Sequence, residues 1–381
     1  MKKKVLVMTG YYVPGVKGGG PIQSIKNLVD NLSDKIDFYI ITSDRDLGDE
    51  KPYSNIQTDS WIQVGNSKVY YTRNSELSLV KTKNIINSVD FDLIYLNSFF
   101  SYKYTTVPLL LRKINKISRK PVIIAPRGQF SSGALSLKRA KKEFYIKFTK
   151  ALSLYKNVIW HATAKTEKED IQKIIGKDKR IIIANNLTAN YKQMEYDKPL
   201  EKKKGELKIV FISRVHPKKN LKMAIEFLKN IKGKVEFSIY GPLEDKLYWA
   251  ECQKIIKDLP NNIAVSYKGI VTHTDVIKTF KQNHIFLFPT LGENFGHVIS
   301  EALIGGCPII ISDQTPWRKL ESTKIGWDIN LKDEVEFVNS IQTCVNLDEK
   351  DYRIISKNAF NYGKQMSNSA HDVQESFRLF S

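Results

Sequence analysis

Short β-branched runs alternate along the chain with stretches whose apolar positions recur every three to four residues. In the first half the runs predict strands over Lys4–Thr9, Asp37–Thr42, Lys68–Tyr71, Leu93–Leu96, Val122–Ala125, Val158–Ala162 and, last and shortest, Arg180–Ala184. Helical periodicity lies between them, as in Ile22–Leu32 and Thr105–Ile117. A polar, lysine-rich stretch, 188–206, follows with Lys198, Lys202, Lys203 and Lys204, and reads as a linker. A second alternating set then begins, with strands predicted over Leu207–Ser213, Val235–Tyr240, Ile263–Tyr267, Ile285–Phe288 and Pro308–Ile311. The remainder, 351–381, is polar with helical spacing. Such alternation predicts parallel sheets covered by helices on both faces. The expected fold is therefore α/β, with two Rossmann-like, doubly wound domains over 1–187 and 207–350, and 351–381 packing back on the first. Ligands of such sheets bind beyond the carboxyl ends of the strands, so the two domains are expected to face a central cleft.

A length of 381 residues agrees with two domains. The three cysteines, Cys252, Cys307 and Cys344, have neither disulfide-framework nor zinc spacing, which fits a reducing, cytoplasmic setting. The start, Lys2-Lys3-Lys4 followed by Val5–Met8, imitates a signal peptide, but its apolar run is too short and reads as a first strand. No window approaches the ~20 apolar residues of a spanning helix. The formal net charge of +20 implies an anionic partner, or reflects a lysine-rich proteome.

Four segments at predicted strand ends carry the candidate chemistry. Phe286-Leu287-Phe288-Pro289 runs into Thr290-Leu291-Gly292-Glu293-Asn294-Phe295-Gly296-His297-Val298, where a helix begins and continues through Glu301. The unsatisfied N–H groups of a helix start at a sheet's carboxyl edge suit a diphosphate. Glu293 at the loop tip and Glu301 about two turns down the helix suit hydroxyl recognition, since a carboxylate accepts several hydrogen bonds. Arg214 and Lys219, in Phe211-Ile212-Ser213-Arg214-Val215-His216-Pro217-Lys218-Lys219-Asn220, offer two cations for the same diphosphate. Gly18, Gly19 and Gly20 follow the first strand and let backbone approach a ligand closely; no P-loop signature follows them. Arg127, in Ala125-Pro126-Arg127-Gly128-Gln129, is a cation with no general-base capacity at neutral pH.

Glu293 and Glu301 match the E-x7-E motif of retaining GT-B glycosyltransferases, and the surrounding text resembles glycosyltransferase family 4. Ala302-Leu303-Ile304-Gly305-Gly306-Cys307-Pro308-Ile309-Ile310 is similar to that family's E-A-x-x-x-G-x-P-V-I segment, and Thr315-Pro316-Trp317 recurs in members that build bacterial surface polysaccharides. Arg214 and Lys219 take the cationic places of the pattern G-R-x-x-x-x-K-G, with Ser213 and Asn220 where glycine is usual. The three glycines resemble the family's N-terminal glycine loop, and Arg127-Gly128 stands where many members carry His-Gly.

The resemblance implies retaining hexosyl transfer from a nucleotide-diphosphate donor, a UDP-sugar being the commonest case. The acceptor implied is a glycan or lipid-linked saccharide of cell-surface polysaccharide or lipopolysaccharide synthesis. It implies donor contacts from Gly18, Gly19, Gly20, Arg214, Lys219, Glu293, Asn294, Phe295, Gly296, His297, Val298 and Glu301. Catalytic roles would fall to Glu293, Arg127, Arg214 and Lys219, with no cofactor and no metal required.

Weaker signals complete the picture. Asp44-Arg45-Asp46 looks like a D-x-D metal site but reads as a solvated loop, Thr166–Glu169 as a capping box, and His161 as a core histidine. The stretch 135–157 carries Lys138, Arg139, Lys141, Lys142, Lys147, Lys150 and Lys156 against Glu143 alone, with Phe144 and Phe148 interleaved. It suits an anionic membrane surface, peripheral at the inner face of the cell membrane. Rival readings are a nucleotide-sugar epimerase of the same fold, a pyridoxal-phosphate phosphorylase and a basic nucleic-acid-binding protein. The first calls for more acids and histidines early in the chain, the second for a Schiff-base lysine. The third calls for a basic aromatic platform or a helix-turn-helix, and none of these is present, so no nucleic-acid partner is expected.

Overall fold

A computed structural model describes residues 2–73, 77–136, 139–191, 193–367 and 369–381; Lys138 of the basic stretch lies outside them. The chain divides into two compact units, Met1–Asn190 with Ser369–Ser381, and Tyr191–Asn368.

The first unit is built on eight strands: β1 (Lys3–Met8), β2 (Ile36–Ser43), β3 (Trp61–Val64), β4 (Ser67–Thr72), β5 (Leu93–Asn97), β6 (Val122–Ala125), β7 (Val158–Ala162) and β8 (Ile181–Ile183). Their order is β3-β4-β2-β1-β5-β6-β7-β8, parallel except for β3, which pairs antiparallel with β4 at one edge. The central strands are buried on both faces, as crossover helices on either side of a parallel sheet require. The helix Ala370–Leu379 belongs to this unit and sends Phe380 into its core, edge-on to Phe38 and Tyr95.

The second unit has six strands: β9 (Glu206–Ile212), β10 (Lys234–Tyr240), β11 (Ile263–Tyr267), β12 (Ile285–Phe288), β13 (Ile309–Ser312) and β14 (Gly326–Ile329). All are parallel, in the order β11-β10-β9-β12-β13-β14. Numbered within the unit this is 3-2-1-4-5-6, the doubly wound order whose direction reverses between its first and fourth strands. Here those are β9 and β12. The second unit also draws in part of the lysine-rich stretch 188–206. Lys202 is buried, and its ammonium donates to the carbonyls of Lys203, Val345 and Leu347, capping the helix Glu334–Asn346.

Every predicted strand exists within a residue or so of its bounds, while β3 and β14 were not anticipated. The helix expected over Thr105–Ile117 is the shorter Val107–Lys113, preceded by a π turn at Tyr102–Thr106. All three cysteines are buried and unpaired. Among the described residues no helix is long and apolar enough to cross a membrane.

Candidate donor and acceptor sites

In the second unit the loops after β9 and β12 meet at the switch point. The chain leaves β9 through Ser213 and Arg214 and makes a 3-10 turn, Pro217–Lys219, whose first amide is capped by His216. Asn220 ends that turn in the left-handed region (φ 58°, ψ 38°), which explains why asparagine can stand where glycine is usual. Its side chain donates to Pro289 O (2.9 Å), and Leu291 N donates to Lys218 O (2.9 Å), fastening the two loops together. Beyond them Glu293 N donates to Gln314 O (2.9 Å) and Ser312 Oγ to Thr290 O (2.5 Å), so the loop after β13 holds the Glu293 loop from the other side.

The result is a direct ion pair between the Lys219 ammonium and the Glu293 carboxylate, both side chains largely buried. The Lys219 ammonium also lies over the Phe288 ring. Arg214 pairs instead with Glu244 (2.6 Å) at a more open position. The helix His297–Ile304 starts after Gly296, and Trp317 Nε1 donates to Phe295 O (2.6 Å), fixing the turn that enters it. Glu301 lies on this helix, and burial pushes its carboxyl up to about 8. At neutral pH it is therefore mostly protonated. Tyr191 is close enough for that carboxylate to help raise its own phenol.

Gly241 is a position in this candidate site that sequence reasoning missed. It follows β10 with φ 136°, and a Cβ there would stand 1.9 Å from Ser213 O. Only glycine lets the start of the Arg214 loop run against the end of β10. The signal was Tyr240-Gly241-Pro242 at a strand end.

In the first unit the candidate residues lie along the carboxyl edge. Pro126–Gln129 is a turn closed by Gln129 N donating to Pro126 O (3.2 Å), with positive φ at Arg127 (56°) and Gly128 (72°). Arg127 adopts this costly conformation while its guanidinium makes three bonds. Nε donates to Asn97 Oδ1 (2.6 Å), Nη2 to Tyr95 Oη (2.8 Å) and Nη1 to Asn186 Oδ1. Behind it, His161 Nε2 lies 2.8 Å from Ala184 O and Nδ1 lies 2.8 Å from Tyr95 Oη. A carbonyl only accepts, so Nε2 carries the proton and Nδ1 accepts from the Tyr95 hydroxyl. Burial, with Arg127 nearby, lowers His161 to about 3. It is thus a neutral, doubly bonded core residue supporting Arg127 through Tyr95.

Two expectations are corrected here. The capping box placed at Thr166–Glu169 lies elsewhere. The helix Lys165–Ile175 has Ala164 as its N-cap, and buried Glu167 reaches back to Thr163 N (2.8 Å) and Thr163 Oγ1 (2.6 Å). Its other oxygen accepts from Gly128 N (2.6 Å), so this carboxylate secures the Arg127 turn as well as the helix. Asp44 and Asp46 do not sit in a solvated loop: they are 2% and 5% exposed. Asp44 takes a two-pronged contact from Arg45 (2.8 and 3.1 Å), whereas Asp46 binds backbone amides of the glycine loop. That loop's own amides are mostly engaged. Those of Val16, Lys17 and Gly18 point at Asp46, and Gly19 N donates to Val16 O (3.1 Å).

The basic stretch forms the helix Arg139–Ala151, in which Thr149 is the one buried residue. Phe144 and Phe148 are 71% and 51% exposed, and their rings stack at 6.1 Å. Lys141, Lys147 and Lys150 are exposed, while Lys142 turns inward over Phe100.

Two Rossmann-like parallel-sheet units in one chain define the GT-B fold, and the solved structures agree. Sucrose-phosphate synthase from Thermosynechococcus elongatus superposes with a TM-score of 0.72 at 16% identity, covering 100% of this chain and 98% of that one. HepE from Anabaena, in complex with UDP and glucose, gives 0.70 at 15% identity, covering 99% of each. Residues 192–362 match the family model of Glycosyl transferases group 1. A Klebsiella pneumoniae protein, known as an uncharacterized 41.2 kDa protein in the cps region, is 25% identical over 300 residues, 77% of this chain and 78% of its own. Together these findings support a glycosyltransferase of the GT-B fold.

Proposed function

We propose that this protein is a retaining family 4 glycosyltransferase. It takes a sugar from a nucleoside-diphosphate donor, UDP-sugar first among them, and gives it to a glycan or lipid-linked saccharide. The observation that carries this reading is the Lys219–Glu293 pair at the β9/β12 switch point, where a doubly wound sheet binds its ligand. A diphosphate leaving group needs cations and a sugar needs a carboxylate, and both stand there.

In this account Arg214, Lys219 and the backbone from Asn294 through Phe295, Gly296, His297 and Val298 stabilise the departing diphosphate. The two side-chain cations do the neutralising work, so the reaction needs no metal and no cofactor. Glu293 orients the sugar and Glu301 holds the ribose hydroxyls. The bond from the anomeric carbon to phosphate oxygen breaks, the acceptor oxygen bonds to that carbon on the same face, and the acceptor proton passes to the departing phosphate oxygen. Arg127 has two guanidinium N–H groups beyond its three internal bonds and offers them to the departing phosphate or an acidic acceptor. With the amides of Gly18 and Gly19 turned inward, the glycine loop's donor contact falls to exposed Gly20.

The relative's place in a cps region and Thr315-Pro316-Trp317 support a part in surface-polysaccharide assembly. The exposed Phe144–Phe148 stack among lysines supports contact with an anionic membrane carrying the acceptor. The test is transfer from UDP-, GDP- and ADP-sugars to short saccharide acceptors, with the product anomer read by NMR. A retained anomer is expected, and an inverted one contradicts the mechanism.

A further inference from the structure

At the first unit's carboxyl edge the buried carboxylate of Asp46, which the transfer chemistry does not use, accepts from four backbone amides. One oxygen accepts from Val16 N (2.6 Å) and Lys17 N (2.9 Å), and the other from Leu47 N (2.8 Å) and Gly18 N (3.3 Å). Three successive loop amides thus converge on one anion, the arrangement that elsewhere cradles phosphate. We propose that Asp46 is a positioning residue: an internal anion that fills the concave amide face of the glycine loop and holds it in the conformation used for transfer. This rests on the transferase reading above.

The surroundings are built for the contact. Gly15 is buried with no room for a side chain, since a Cβ would stand 2.6 Å from Tyr53 Oη and 2.9 Å from Asp46 Oδ1. Tyr53 N donates to Asp44 O (2.8 Å), closing the loop that carries Asp46, and Lys17 pairs with Asp49. Tyr71 Oη donates to Val13 O (2.5 Å). Downstream, Gly19 adopts φ 62°, ψ −134°, a conformation open essentially to glycine alone, and leads into the helix Gly20–Leu32. A segment this rich in glycine loses more backbone entropy on being fixed than an ordinary loop does. Three charge-assisted bonds from the loop to one carboxylate offset that loss before any ligand arrives.

Asp46→Asn tests this, because an amide nitrogen replaces one oxygen and confronts N–H with N–H. Native trypsin cleavage at the Lys17–Gly18 bond should accelerate about tenfold or more as the loop is released. Nucleoside-diphosphate affinity should stay within about twofold, while turnover at saturating donor falls about tenfold or more. Asp49→Ala, which removes only the Lys17 side-chain tie, should keep wild-type turnover. If Asp46→Asn does not fold, Asp46→Ser, which keeps one small acceptor, carries the same readouts. Unchanged cleavage overturns the proposal, and so does unchanged turnover from a loop that trypsin shows to be released. Wild-type protein that neither binds nor transfers any nucleotide sugar would instead remove the transferase reading, and the cleavage arm would still judge the clamp.

Discussion

Lys219 and Glu293, 74 residues apart, neutralise one another at the reversal point of the second sheet. Neither is free in this state, so a donor must exchange this contact for its own. A largely buried carboxylate left without its cation is costly, and removing one partner should cost more than removing both. We expect Lys219→Met to lower stability by about 1–3 kcal/mol and the double variant with Glu293→Gln to recover a good part, a coupling measured by a double-mutant cycle in denaturant. Lys219→Met should also lower kcat/KM about a hundredfold or more, as loss of a transition-state donor does.

Glu301 predicts a pH dependence. Its folded pKa, about 8, lies above the ordinary carboxyl value. The unfolded chain therefore releases this proton first, and stability falls as pH rises through the window between the two values. Glu301→Gln should flatten that slope between pH 5 and 8, read by melting temperature. If the ionised form accepts the ribose hydroxyls, nucleotide binding releases a proton. Affinity then tightens toward pH 8 by at most about tenfold per unit, a dependence the glutamine variant should lack.

His161 works in the opposite sense. Its pKa of about 3 lies below the ordinary imidazole value of about 6.5, so its contribution is complete above pH 6.5 and is lost as pH falls toward 3. Its ring resonances should not titrate between pH 5 and 8 by NMR. Tyr95→Phe, which removes the hydroxyl between His161 and Arg127, should reduce turnover while leaving nucleotide affinity unchanged.

Gly241→Ala should fail more severely than an ordinary surface change. Its Cβ would overlap Ser213 O, and φ 136° is strained for alanine. We expect a loss of about 3 kcal/mol or more, or insoluble protein, seen in the denaturation midpoint.

The Phe144–Phe148 stack predicts flotation with vesicles containing anionic lipid and none with neutral vesicles. Phe144→Ser with Phe148→Ser should abolish it without altering the melting temperature by more than about 2 °C, since both rings are exposed. Equal recovery in the soluble fraction from both lipids would remove the membrane contact.

The strands were legible because buried parallel strands are uninterrupted apolar runs such as Ile285–Phe288 and Val122–Ala125. Trp61–Val64 and Gly326–Ile329 were not, being four-residue edge strands of mixed character whose pairing is decided by their neighbours. Among the candidate site residues, Glu293, Lys219, Arg214 and Glu301 stand out by motif spacing. Asp46, Glu167 and Gly241 do not, because their work is to accept distant amides or to leave space. Asp46 and Gly18 are 28 positions apart, and Glu167 and Gly128 are 39. Such contacts arise only when the topology brings strand ends to one edge, and a charged residue read alone looks solvated.

The most direct measurement is a thermal-shift titration with UDP, GDP, ADP and CMP, on the native protein and on Lys219→Met and Glu301→Ala. A ligand that binds only the folded state raises the melting temperature, by about 2.7 kcal/mol of stabilisation at a hundred times its Kd. One nucleoside diphosphate, UDP first among them, should stabilise the native protein, and this stabilisation should be lost or markedly weakened in both variants. No shift with any nucleotide, or a shift undiminished in both variants, would contradict the placement of the donor at the Lys219–Glu293 pair.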